Sequence, residues 1–247
     1  MAYDKGLFDQ PVVMRHMVFR TQADGGGKTF PVDSLFPLAL EGVTDTASVD
    51  EGTATLLYGL VRGIAPLIVL ETGTHKGRST RAIAEALHDN ATVSLMPYTF
   101  SMAVEPSRGH LWTIDQTDWG FWAGTALNNE TRPFVTAIVG HTPEALTQEP
   151  LDSLRGIELA FLDGDHTREG VEQELLFVEH RRATECLVAV ENARDPAWPG
   201  VAEAVAHVKD LLGYQPPVIP LPTCTGLTLL WLSNAVAGQK PAETAQG

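Results

Sequence analysis

The sequence predicts an α/β fold: a doubly wound, mostly parallel seven-stranded sheet with an antiparallel C-terminal hairpin. Three observations predict it. From residue 46 onward, short apolar runs alternate with stretches of helical periodicity. A glycine turn joins the first run to the helix after it. The last two apolar runs are separated by only four residues, too few for a parallel crossover.

Each element follows from its own residues. Residues 1–45 carry Gly25-Gly-Gly27 and several prolines without a sustained period, and are expected to be an irregular arm or lid. The main domain is expected over 46–234. Ser48 with Glu51 reads as a capping box, and Ala54, Leu57, Tyr58 and Val61 continue at helical spacing, so a helix is expected from about 49 to 63. Pro66-Leu-Ile-Val-Leu70 is short, apolar and flanked by Gly and Pro, which suits a buried parallel strand. After the glycine turn, Ser79 or Thr80 can cap a helix carrying Ala82, Ile83, Ala86 and Leu87.

Four further strands are expected at His110–Asp115, Val135–Val139, Ile157–Asp163 and Cys186–Glu191. Helices are expected at about 143–149, 167–182 and 200–212. On the second of these, Val171, Leu175 and Val178 read as inward, and Glu169, Glu172, Glu174 and Glu179 as a solvated face. Pro217–Leu221 and Gly226–Leu232 should form the closing hairpin, and 235–247 reads as a flexible tail.

Composition narrows the function. Of 247 residues, 44% are hydrophobic and 19% charged, enough for a packed core. A net charge of -14 repels phosphate backbones and anionic lipid, so neither nucleic acid nor membrane is an expected partner. Two cysteines, Cys186 and Cys224, do not make a disulfide framework, and neither a leader nor a long apolar run stands out. A cytoplasmic protein is expected.

The loop Glu71-Thr-Gly-Thr-His-Lys-Gly77 sits where an open α/β sheet binds its ligand, beyond a strand's carboxyl end. A dinucleotide fingerprint would need Gly at 75 and 78, where His75 and Arg78 stand. A P-loop ending at Gly27-Lys-Thr29 would need Gly at position 22, which is Gln22. An acidic residue, a Gly two further on and a Gly four beyond that remain.

With Leu162-Asp-Gly-Asp-His166, Gly140-His-Thr-Pro-Glu-Ala-Leu146, Pro199-Gly-Val201 and Thr225-Gly-Leu227 in order behind it, this loop resembles the first motif of class I S-adenosylmethionine-dependent methyltransferases. The resemblance covers about 66–232. It looks closest to bacterial Asp-Gly-Asp-His proteins, relatives of natural-product O-methyltransferases and cephalosporin hydroxylase-like proteins. It implies a Rossmann-like methyltransferase fold with S-adenosyl-L-methionine as cofactor. Adenosylmethionine joins a sulfonium cation to an amino acid head, a ribose diol and an adenine, which calls for carboxylates, close backbone and apolar walls.

By the resemblance, Glu71 lies near the head group, Gly73 and Thr74 allow close approach, Gly77 completes the turn, and Ser79 or Thr80 bonds the cofactor carboxylate. Asp115 would meet the ribose, with a helix-capping or surface Asp as the other reading. His141 and Thr142 would meet the adenine, with Thr142 as a helix cap before Pro143 as the alternative. Trp112, Trp119 and Trp122 are candidates for an aromatic wall or for plain core. His75 and His110 read as structural or solvated, and His16 as a residue that could face substrate.

Methyl transfer needs the acceptor deprotonated and aligned. Asp163, Asp165 and His166 end the fourth strand, and Glu191 and Asn192 end the fifth. In the metal-dependent O-methyltransferases that this region resembles, an Asp after strand four and an Asp-Asn pair after strand five hold a divalent cation, with a Lys as base. Carried over, Asp163, Glu191 and Asn192 would be ligands for Mg²⁺ or another divalent cation. His166 would stand at the base position, with a reference pKa of about 6.5; Asp163 would serve the cofactor and the chemistry as well. Capping of the next helix by Asp165-His166-Thr167 is the structural alternative.

The expected function is divalent-metal-assisted O-methylation of a small hydroxylated molecule, the small-molecule acceptor being the partner, with a homo-oligomer as a further expectation. Two alternatives stand beside it: a metal-independent N- or O-methyltransferase, and a non-catalytic cofactor-binding regulatory or scaffold protein.

Overall fold

The structure, a computed structural model, describes residues 49–92, 109–118 and 127–234. The arm at 1–45, the tail at 235–247 and, with them, His16, the Gly27-Lys-Thr29 segment, Trp119 and Trp122 lie outside the described residues. Among the described residues, no helix is long and apolar enough to cross a membrane.

The first helix, α1, spans Glu51–Ile64. Its N-cap is Asp50, whose carboxylate accepts from the Thr53 backbone N–H at 2.9 Å and the Thr53 hydroxyl at 3.2 Å. Ser48, expected to form a capping box with Glu51, lies outside the described residues, and the cap position is held by Asp50. A cap must reach the N–H three residues ahead, and with the helix starting at Glu51 that residue is Asp50.

Strand β1 is Ile68–Thr72, two residues later than its apolar run suggests. It is bonded on both sides, Glu71 lying opposite Thr113 and Phe161, and Thr72 opposite Ile114 and Leu162. Neighbouring strands carry it two polar residues beyond Leu70, and those two residues begin the site.

The order continues through α2 (Arg78–Thr92), β2 (His110–Asp115), β3 (Val135–Val139), β4 (Ile157–Leu162), α3 (Arg168–Arg181), β5 (Arg182–Val190), α4 (Pro199–Leu212), β6 (Val218–Pro220) and β7 (Thr228–Ser233). The helix expected over 143–149 is a 3-10 turn at Glu144–Thr147. Thr142 does not cap it; the cap position is Pro143. Thr167 caps α3, its hydroxyl accepting from Gly170 N–H at 3.0 Å. Strand β5 starts four residues before its apolar run: its first four residues are half-buried or exposed, and only the five from Cys186 to Val190 are buried.

The sheet order is β3-β2-β1-β4-β5-β7-β6. Pairs from β3 to β5 are parallel; β7 is antiparallel to both β5 and β6. This is the doubly wound, Rossmann-like sheet with its C-terminal hairpin. Side chains alternate between its faces. Leu70, Ile114, Ala160, Leu162, Val188 and Val190 join one core with Val171, Leu175 and Val178 of α3 and Val201, Ala204 and Val208 of α4. On β1 the intervening Glu71 bonds to Thr80 of α2, whereas Thr72 bonds to Glu174 of α3. Strand order reverses between β1 and β4, so the crevice opens where Gly73 and Asp163 leave the sheet.

Asp50→Ala should lower the unfolding free energy by about 1 kcal/mol through loss of the α1 cap, read as a shift in the urea midpoint at unchanged slope.

Candidate active site

The glycine turn is held by the neighbouring strand. Gly73 N–H donates to the Ile114 carbonyl at 2.8 Å, and His75 N–H to Asp115 Oδ2 at 2.7 Å. Gly73 has φ of +81°, and a Cβ there would lie 2.1 Å from the Asp163 carbonyl oxygen. Only a residue without a side chain lets the β1 and β4 turns meet so closely. Gly77, φ +82°, delivers the chain into α2, whose first N–H groups make a positive helix end beside the turn.

Beneath the turn lies Glu71, fully buried. Its Oε2 accepts from the Thr80 hydroxyl at 2.6 Å and the Thr113 hydroxyl at 2.5 Å, and the Thr113 and Thr74 hydroxyls are 2.5 Å apart. Burial pushes Glu71 up to about 7 against the opposing hydroxyls of Ser79, Thr113 and Thr80. Ser79 and Thr80 lie inside α2 rather than at its cap, and Thr80 is turned to this carboxylate.

At the ends of β4 and β5 three predicted residues come together. Asp163 N–H donates to the Thr72 carbonyl at 3.1 Å, and its Oδ1 lies 3.3 Å from His166 Nε2 and 3.1 Å from Asn192 Nδ2. Asn192 Nδ2 is also 3.0 Å from His166 Nε2. Asn192 has φ of +60°, which Asn tolerates better than most residues. Burial opposes the imidazolium of His166, but the hydrogen bond and charge of Asp163, with Glu174 and Asp165 behind, outweigh it and raise the pKa. Burial likewise raises Asp163, in spite of His166.

Glu191 is engaged elsewhere. Its Oε1 accepts from the Thr225 hydroxyl, and its Oε2 is buried without a hydrogen bond. Burial lifts it to about 7, with the charges of Asp163 and Asp50 adding to the effect. Among the described residues, no group of three or more His, Cys, Asp or Glu is arranged to hold a metal. Of the atoms named for a cation, Asp163 Oδ1 meets His166 and Asn192, Glu191 Oε1 meets Thr225, Glu191 Oε2 has no hydrogen bond, and Asn192 faces its neighbours through nitrogen.

Other predicted residues have partners of their own. Asp115 is bound to the His75 and Thr117 N–H groups. His141 is exposed and paired with Glu144 at 2.8 Å. Trp112 packs half-buried against the core and meets His110 edge-on, and His110 Nε2 is 2.8 Å from Thr136 Oγ1.

Three participants were missed in the sequence. Trp198 lies over the His166 ring at 4.4 Å between centroids, with nothing in its local pattern to announce it. Thr113 hides in an apolar strand. Glu174, assigned above to a solvated face, is 1% exposed, and its Oε2 accepts from the Thr72 hydroxyl at 3.1 Å. The signal was present: 171, 174, 175 and 178 form one helical stripe.

The sequence model of a methyltransferase-domain family matches residues 70–193, half of the chain, running from the middle of β1 to just past Asn192. The chain belongs to this methyltransferase family. No curated protein matches the sequence.

Among solved structures, the methyltransferase is similar to an O-methyltransferase from Bacillus cereus in complex with S-adenosylhomocysteine. Identity is 14%, coverage 76% of this chain and 84% of that one, and the TM-score 0.57. It is also similar to the Streptomyces achromogenes O-methyltransferase involved in tomaymycin synthesis, in complex with S-adenosylmethionine. There the identity is 18%, the coverage 75% and 82%, and the TM-score 0.54. At such identities the likeness is one of fold.

The buried carboxyls of the methyltransferase make its stability depend on pH. Glu71 is raised from an ordinary 4.5 to about 7. Below pH 4.5 it is protonated in both the folded and the unfolded chain; as pH rises, the unfolded chain ionises first, and the stabilisation is lost as pH climbs through 7. Glu174 and Glu191, also raised to about 7, act in the same direction. The urea midpoint of Glu71→Gln should therefore fall less between pH 5 and pH 7.5 than that of the wild type.

Proposed function

We propose that the protein is an S-adenosylmethionine-dependent O-methyltransferase of the Asp-Gly-Asp-His type, acting on a small hydroxylated molecule, with His166 as the base. The observation that carries this reading is the meeting of Asp163, His166 and Asn192 beside the Gly73 turn, at the point where strand order reverses. The solved relatives that hold S-adenosylmethionine or S-adenosylhomocysteine share this sheet, and they support the choice of cofactor.

The residues at the crevice suit such a ligand. Gly73 offers backbone with no side chain in the way, and the α2 N-terminus suits a carboxylate. Glu71, Asp115 and Asp163 gather acid around the same turn, which favours a cation. Glu71 acts from underneath, through Thr80, Thr113 and Thr74, rather than by direct contact. The bound cofactor supplies an electrophilic methyl group on sulfur. In the tautomer whose Nε2–H donates to Asp163, the Asn192 amide donates to Asp163 and not to Nε2; Nδ1 then keeps the lone pair that takes the acceptor's proton, and Asp163 holds the imidazolium. Trp198 fixes the ring from one side.

Assistance by a divalent cation is the second reading, supported by the presence of Asp163, Glu191 and Asn192 at strand ends that resemble a metal site. We also take the acceptor to be a free small molecule of the cytoplasm rather than nucleic acid or lipid, within the chemistry of natural-product biosynthesis, and the enzyme to be a homo-oligomer.

The test is methyl transfer from labelled S-adenosylmethionine to a panel of phenols, sugars and hydroxylated amides. His166→Ala should lower the rate by about 10²- to 10⁴-fold while S-adenosylhomocysteine binding stays nearly constant. A rate that does not change in the variant removes His166 from the chemistry. Activity should survive EDTA; its loss, restored by Mg²⁺, would select the metal-assisted route.

A further inference from the structure

Helix α3 presents Val171, Glu174, Leu175 and Val178 to the interior, three apolar residues and one carboxylate. A carboxylate at such a position costs more than an apolar side chain of similar size, so packing alone does not account for it. Its surroundings do. The Thr72 hydroxyl, at the end of β1, donates to Oε2 at 3.1 Å. The Thr142 hydroxyl, after β3, and the Asp165 N–H, after β4, both lie beside the carboxylate and lower its pKa against burial, while Oε1 itself makes no hydrogen bond. Gly164 closes the group: a Cβ there would lie 2.8 Å from Glu174 Oε1, 2.8 Å from Thr72 Cβ and 3.0 Å from Thr142 Oγ1.

Three loops that leave the sheet from β1, β3 and β4 therefore converge on one side chain. The contact continues into the active site. The Thr72 hydroxyl that donates to Glu174 is 3.3 Å from Asp163 N–H, and the Asp163 carboxylate in turn meets His166 and Asn192. A path of hydrogen bonds thus runs from Glu174 through Thr72 to Asp163.

We propose that Glu174 is a positioning residue of the cofactor crevice, its carboxylate holding the loops after β1, β3 and β4 in the one arrangement that receives the ligand. This rests on the reading of the crevice as the adenosylmethionine site. The role belongs to the Oε2 that accepts from Thr72 rather than to the charge, so Gln, which keeps one such oxygen, can replace Glu where Ala cannot.

The experiment is calorimetric titration of S-adenosylhomocysteine into the wild type, Glu174→Ala, Glu174→Gln, Thr72→Val and the Thr72→Val/Glu174→Ala pair, at a temperature where circular dichroism finds each folded. Glu174→Ala should bind about tenfold more weakly, the size of one hydrogen bond. Glu174→Gln should bind within about threefold of the wild type. The paired variant should bind no more weakly than Glu174→Ala alone, because both changes break the same path.

A side chain that serves only stability would lower the melting temperature and leave these affinities equal. Affinities in Glu174→Ala and Thr72→Val equal to that of the wild type overturn the proposal. If Glu174→Ala does not fold, Thr72→Val decides: weaker binding supports the proposal and unchanged binding overturns it. A wild type that binds no S-adenosylhomocysteine removes the reading of the crevice itself, and the inference with it.

Discussion

The structure depends on the close approach of two turns. Gly73 leaves β1 so near the Asp163 carbonyl that a single carbon on its Cα would collide with that oxygen. Everything at the site follows from that contact. It sets the β1 turn against the β4 turn at the reversal of strand order, with Ile114 taking the Gly73 N–H from the other side. The crevice of an open α/β sheet is left there because the crossovers run away from it in opposite directions.

Around this contact the protein gathers more acid than a core usually holds. Glu71, Glu174 and Glu191 are all buried and all raised to about 7, and Asp163 is raised beside them. Each of the three Glu residues has a threonine hydroxyl at hand: Thr80 and Thr113 at Glu71, Thr72 at Glu174, Thr225 at Glu191. A threonine can donate a hydrogen bond while its methyl group fills apolar space, which lets a carboxylate sit in a sheet interior at limited cost. The outcome is a group of buried acids beneath the turns, with His166 against Asp163 at its edge.

Much of the site was legible residue by residue, and its wiring was not. Gly73 and Gly77 were readable because positive φ and close approach leave few residue types to choose from. Asp163, His166 and Asn192 were readable as strand-end residues on neighbouring parallel strands. Whether Glu191 would join them depended on which way its side chain turned, and Thr225, thirty-four residues away in sequence, decided that. Glu174 was misread because its charge was weighed above its helical position. Trp198 carried no local pattern at all.

The sequence by itself determined the alternation of strands and helices, the closing hairpin and the position of the ligand turn, since periodicity and glycine stereochemistry act within a few residues of chain. Only the tertiary structure decided where β1 ends, because pairing with β2 and β4 carries it past its apolar run to Glu71 and Thr72. It also decided which carboxylates are sealed beneath the turns and which side chains meet at the base. Those outcomes rest in large part on hydrogen bonds between residues far apart in the chain, 26 positions for Asn192 and His166 and 102 for Thr72 and Glu174, which no local preference specifies.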